Sequence, residues 1–140
     1  MASLIKIYDD NPTAGDTDGT LVSSGDGSNP IASGALKANE NEVSDPIKLA
    51  VRCDTEYQTV EEDGKHAALT IEDSASVDKW KLALTSEGLS SATWGAGLDI
   101  TTLIDDTNTI FYAQARAVDT EDPVEDTTVD IKVAATVGSQ

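Results

Sequence analysis

Cysteine, histidine, aromatic side chains and basic charge are all scarce in this chain. There is one cysteine, Cys53, so no intrachain disulfide can form and a cysteine-framework secreted domain is excluded. There is one histidine, His66, so a zinc site built from clustered His and Cys has too few ligands. Aromatic residues make up 4% of the chain, which argues against the sugar-stacking platforms of a glycoside hydrolase. No apolar run approaches the roughly 20 residues that span a bilayer as a helix. The N-terminus, Met1 to Asp9, lacks a basic segment followed by a long apolar one and does not read as a secretory signal, so synthesis in the cytoplasm is expected.

Phosphate-binding signatures are missing too. There is no Gly-x-x-x-x-Gly-Lys-Ser/Thr loop and no Gly-x-Gly-x-x-Gly opening a helix. Nucleophile signatures fare no better: there is no Gly-x-Ser-x-Gly elbow, and Cys53 lies in an alternating apolar run that suits a structural thiol. No cofactor and no metal are expected, and the chain reads as a non-enzyme.

Acids are abundant instead. Nine Lys and Arg stand against 26 Asp and Glu, a formal charge of −17 over 140 residues. Such a surface repels phosphate backbones and anionic membranes, so neither nucleic acid nor membrane is an expected partner. It favours solubility, and it could also attract a basic partner or cations. Asp16-Thr17-Asp18-Gly19 resembles part of a calcium loop but lacks the third ligand and the terminal Glu. Asp105-Asp106 and the acids from Glu121 to Asp126 read as solvated loop acids.

Apolar alternation with a period of two recurs along the chain and predicts strands. Leu4–Tyr8 reads as a short strand, and Asp9–Pro30, rich in Asp, Gly, Ser, Thr and Asn, as a long loop or extended arm. Ile31–Ala38 reads as a strand and Asn39–Asp45 as an acidic turn. In Pro46–Cys53, Ile47, Leu49 and Val51 share one face, with Lys48, Ala50 and Arg52 on the other. Ala67, Leu69 and Ile71 form a further set, and Trp80, Leu82 and Leu84 another, with Lys79 and Lys81 facing out. Leu98, Ile100 and Leu103 suggest a short strand or turn. The longest strand is expected over Asn108–Val118, with Phe111, Ala113, Ala115 and Ala117 inward and Ile110, Tyr112, Gln114 and Arg116 outward. Val129, Ile131, Val133, Ala135 and Val137 make one clean final strand. Asp63-Gly64-Lys65 predicts a hairpin turn, with His66 exposed at the start of the next strand. About seven short strands with turns between them predict an all-β fold, an antiparallel β-sandwich of immunoglobulin type with an extended N-terminal arm. Residues 1–33 are expected as the strand and arm, and 34–140 as the sandwich.

The opening Leu4-Ile5-Lys6-Ile7-Tyr8-Asp9, with Asp18-Gly19-Thr20-Leu21-Val22, resembles small structural proteins of tailed bacteriophages and prophages. So do Asn29-Pro30-Ile31, Pro46-Ile47-Lys48-Leu49-Ala50-Val51-Arg52, the isolated Trp80, and Asp106-Thr107-Asn108-Thr109-Ile110-Phe111. The resemblance implies a virion accessory protein with an immunoglobulin-like sandwich that decorates a capsid or tail lattice in many copies. Its partner would be the major capsid or tail protein, or further copies of itself, and its location the virion. Leu4, Ile5, Ile7, Leu21 and Val22 are the expected arm contacts, and Trp94, in a Gly- and Ser-rich loop, a candidate anchor. The alternative is a carbohydrate- or cell-surface-binding module using Trp94 and Tyr112 as stacking residues.

Overall fold

The computed structural model describes residues 4–22, 31–32, 43, 46–71, 80–116, 128–129 and 131–140, and only the backbone at 31–32 and 128–129. The described chain is strand and turn, all strand pairing is antiparallel, and one 3-10 turn over Glu87–Ser91 interrupts it. The strands are β1 (Ile5–Asp9), β2 (Thr20–Val22), β3 (Ile31–Ala32), β4 (Ile47–Cys53), β5 (Tyr57–Val60), β6 (Ala67–Ile71), β7 (Trp80–Ala83), β8 (Leu98–Ile100), β9 (Thr109–Ala115), β10 (Thr128–Val129), β11 (Ile131–Ala134) and β12 (Thr136–Ser139).

A five-stranded sheet runs in the order β2-β1-β4-β9-β7. Its register follows the apolar alternation. Ile7 lies opposite both Val22 and Val51, Leu49 opposite Phe111, and Leu82 opposite Ala113. Directly paired residues share a face, so these form one apolar surface. A three-stranded sheet, β11-β6-β8, and a β12-β5 pair supply the other side of the core. Leu69, Ile100 and Ile131 from that side join Ile7, Leu49, Val51, Trp80 and Phe111 in one buried cluster. Strands on two sides of one core give the fold its sandwich-like all-β character. The β10-β3 pairing stands apart as a two-stranded ribbon.

Several expectations hold and several are revised. The faces expected for β4 and β9 are those observed, except that outward-pointing Ala50 is fully buried because Tyr8 and Ile110 flank it across the sheet. Leu84 is 47% exposed, since β7 ends at Ala83, and Leu103 is exposed beyond the end of β8. The single final strand is instead three short ones: Ala134 pairs with Ala68 while Thr136 pairs with Val60, because residues 61–66 loop out of the partner. β5 was not expected. Its inward residue is the polar Thr59, only 2% exposed, which hides the alternation.

The N-terminal segment departs furthest from an extended arm over residues 4–22. β1 and β2 form a hairpin, and β1 pairs with β4 inside the five-stranded sheet, so Ile5, Ile7 and Val22 are buried in the chain's own core. Three apolar side chains on one face of a hairpin gain more from an available core than from solvent, by roughly 1.5–3 kcal/mol each. The boundary expected at residue 33, the rest of the Ile31–Ala38 strand, Lys79, Ala117 and the Glu121–Asp126 acids lie outside the described residues.

Candidate functional site

The densest polar constellation sits where the β1–β2 connection meets the start of β9. The loop from Asp10 to Gly19 is shaped by positive φ at Asp10, Asn11, Gly15 and Gly19. At Gly19, φ is 109°, and a Cβ would come within 3.0 Å of Asp9 O and Tyr8 Cβ, so only glycine fits without displacement. Asn108, 5% exposed, grips this loop with both its backbone and its side chain. Its N–H donates to Asp16 O at 2.7 Å and its carbonyl accepts Gly15 N–H at 3.1 Å. Its Nδ2 donates to Thr13 O at 2.9 Å and to Asp18 Oδ1 at 2.8 Å. Its Oδ1 accepts from Arg52 Nη1 at 2.7 Å, and the same nitrogen donates to Asp18 O at 2.8 Å.

Asp18 completes the node. Its carboxylate accepts from Thr13 N–H at 2.8 Å and from Thr13 Oγ1 at 2.9 Å. The Thr13 hydrogen bonds, with a further one from Asn108, hold its pKa below the usual carboxylate range. The residues read as a partial calcium loop therefore spend their oxygens on the chain's own donors. Among the described residues, no group of three His, Cys, Asp or Glu side chains is placed to hold a metal ion.

Arg52 also lies over Tyr8, with its guanidinium carbon 3.7 Å from the ring centroid. Tyr8 and Arg52, with Thr17, Cys53, Asp54, Thr55 and Asp106, line an open groove of about 410 Å³. Its charged groups are engaged at the rim. Asp54 pairs with Lys6 at 2.9 Å, and Asp106 accepts Glu56 N–H at 3.0 Å. The Glu56 hydrogen bond is the main cause that lowers the pKa of Asp106. The Cys53 thiol points away into the core, 2% exposed, where it approaches Ile104 O at 3.6 Å. Burial first, then the nearby Asp105 carboxylate, pushes its pKa up to about 11, so it is a thiol and not a thiolate at neutral pH.

His66 is half-buried rather than exposed. Its Nδ1 lies 2.9 Å from Thr59 Oγ1, which also accepts Ile104 N–H at 3.0 Å. The histidine thus buttresses the loop after β8. The turn before it forms as expected, with positive φ at Asp63 and Gly64 and a bridge between Glu62 and Lys65.

Trp94 folds back onto the five-stranded sheet. Lys81 Nζ and Arg116 Cζ lie 4.4 and 4.5 Å from its ring centroid. Lys81, expected to face out into solvent, points outward but is only 8% exposed because the indole covers it. Gly95 N–H donates to Trp80 O at 2.8 Å and fixes the loop against β7. Nothing in the sequence pattern marked Asn108, Lys81 or Thr59, since each is a polar residue whose role depends on partners far away in the chain.

The remaining candidate residues separate by face. Ile5, Ile7 and Val22 are core, while Leu4 and Leu21 are 38% and 39% exposed. Tyr112 is half-buried on the outward face of β9. No helix among the described residues is long and apolar enough to cross a membrane. Compared with protein-family models, curated proteins and solved structures, the chain finds no match in any of the three.

Proposed function

We propose that the chain is a non-enzymatic structural protein that attaches in many copies to a phage capsid or tail lattice. The reading joins the resemblance in the sequence to one structural observation. The polar groups that could have carried chemistry, Asp18, Cys53 and His66, are each committed to holding the chain's own loops or core. A fold whose polar side chains brace its surface loops suits a rigid, adhesive building block. An immunoglobulin-like strand arrangement and a gripping role for the N-terminal segment belong to the same reading. With Ile5, Ile7 and Val22 used internally, the gripping contacts narrow to Leu4 and Leu21. Many copies on a lattice would convert weak individual contacts into durable attachment.

The test is co-sedimentation of the purified chain with particles from the source culture that have been stripped of loosely held proteins. Saturable rebinding at a fixed copy number, weakened by Leu4→Asp with Leu21→Asp, supports the reading. Failure to rebind, or binding without saturation, refutes it.

A further inference from the structure

Most strand edges in the described chain are closed or guarded. The outer side of β5 is taken, since Thr59 N–H donates to Ile104 O and Tyr57 N–H to Asp54 O. In β7 the Trp80 carbonyl accepts Gly95 N–H at 2.8 Å, and the strand carries Lys81. β11 carries Lys132. β2 and β8 are only three residues long, and β8 holds the charged Asp99. Short edges and edge charges are common means by which sheets avoid pairing with other chains.

The outer edge of β12 is neither closed nor guarded. Thr59 and Tyr57 turn their N–H groups away from β12, so their partners Val137 and Ser139 form the non-hydrogen-bonded pairs of the β5–β12 ribbon. The N–H and C=O groups of Val137 and Ser139 therefore point out of the ribbon, and among the described residues they meet no partner. The ribbon, Tyr57–Val60 with Thr136–Ser139, holds no charged side chain, in a chain of which 25% is charged. Glu56 and Glu61 bracket β5, one strand behind the edge. Gly138 lies within this edge without a cause inside the chain. The register runs unbroken through it, its φ is not positive, and a Cβ there would meet only Val60 Cγ2, at an ordinary 3.6 Å. A glycine inside a strand weakens it, and where no bulge or bend requires one it marks the close approach of another backbone.

We propose that the β12 edge pairs with the β12 edge of a second copy of this chain, antiparallel about a two-fold axis at Gly138. Val137 of each copy then lies opposite Ser139 of the other, and each such pair exchanges both of its N–H···O=C bonds. Gly138 meets Gly138 in the narrow kind of pair, with about 4.5 Å between Cα atoms. The two ribbons join into one continuous sheet, β5-β12-β12-β5. A second copy is the occupant because a two-fold axis sets a strand against itself. On β7, β8 or β11 that would bring like charges together across the contact, whereas β12 has none to bring. For a chain of net charge −17, a neutral edge is the one on which copies can meet. The contact uses the same patch on both copies, so it closes at the dimer. It goes beyond the virion reading and does not depend on it, because the edges match with or without a particle.

Sedimentation velocity of the full chain at about 100 μM, a concentration suited to weak contacts, tests this at three salt levels. Copies of net charge −17 repel, and the screening length falls from about 30 Å at about 0.01 M salt to about 10 Å at about 0.1 M. The dimer is expected to strengthen over that range and to persist at about 1 M, since it contains no ion pair to screen. Ser139→Pro removes an outward N–H and no bond to β5. It should weaken the dimer about tenfold or more while circular dichroism shows the monomer folded. Gly138→Asp and Gly138→Lys each set like charges opposite one another and should each weaken it about threefold or more, and an equimolar mixture of the two should pair again. The two Gly138 variants decide the matter if Ser139→Pro does not fold. A monomer at all three salt levels overturns the proposal. So does assembly that continues past the dimer, association that these substitutions leave unchanged, or a mixture of the two Gly138 variants that stays monomeric.

Discussion

Asn108 and Asp18, 90 residues apart in the chain, are joined by a 2.8 Å hydrogen bond from the Asn108 amide to the Asp18 carboxylate. That bond ties the N-terminal hairpin to the root of β9. The same asparagine serves Thr13 and Arg52, so its removal leaves several groups without partners. Asn108→Ala should destabilise the fold by about 1–3 kcal/mol. It should also open the loop between β1 and β2 to proteolysis. Urea denaturation and limited digestion mapped by mass spectrometry check both; a change below about 0.5 kcal/mol would be that of an ordinary surface site.

The hairpin's two faces should respond differently to truncation. Ile7 is 2% exposed in the core and Leu21 is 39% exposed on the outer side. Ile7→Ala should cost about 2–5 kcal/mol, while Leu21→Ala should stay within about 0.5 kcal/mol. Equal, small effects at both positions would mean that the hairpin is a loosely held arm after all.

Much of this architecture was legible in the residues. Alternation alone placed Leu49, Val51, Phe111 and Ala113 inward, because a half-buried strand enforces a period of two whatever its neighbours are. It could not name partners. Val129 to Val137 alternates without a break, yet its pairing passes from β6 to β5, since alternation fixes a face and not an opposite strand. The buried places of Thr59 and of Val22, the latter expected as an arm contact, escape the alternation for another reason. A polar residue on the inner face and a single buried Val in a loop-like stretch carry no periodic signal, and each is explained only by what it meets: Ile104 for Thr59, and Ile7 for Val22. Among the candidate contact residues, the sequence could not tell which side of the hairpin would face the core.

Trp94 should act as a structural cover. Replacing it with Ala uncovers Lys81 and removes the two cation–ring contacts, at a cost of about 1–2 kcal/mol, of which Trp94→Phe should recover part. Thermal melts of the two variants check this. Acrylamide should quench the half-buried Trp94 and spare the fully buried Trp80.

Cys53 gives an alkaline signature. Its folded-state pKa of about 11 lies above the ordinary value of 9.0. Its contribution to stability is therefore fully present below pH 9.0 and is lost as pH rises towards 11. The native chain should lose stability across that window that Cys53→Ala does not lose. Parallel unfolding curves would contradict this. At neutral pH the folded protein should resist thiol alkylation and react promptly once unfolded.

Asp18 gives the acid counterpart. Its pKa is lowered in the folded state, so what it adds is present above the ordinary carboxylate pKa and is lost as pH falls below it. Asp18→Asn should flatten the acid limb of the stability curve. An unchanged acid limb would show that the Thr13 bonds do not favour the ionised form.

The central claim, that this is a lattice-bound structural protein, is tested most directly by quantitative mass spectrometry of purified particles from the source culture. The account predicts the chain at a fixed stoichiometry to the major coat or tail protein, at high copy number. Its absence from particles, with abundant chain in the cell lysate, would contradict the account.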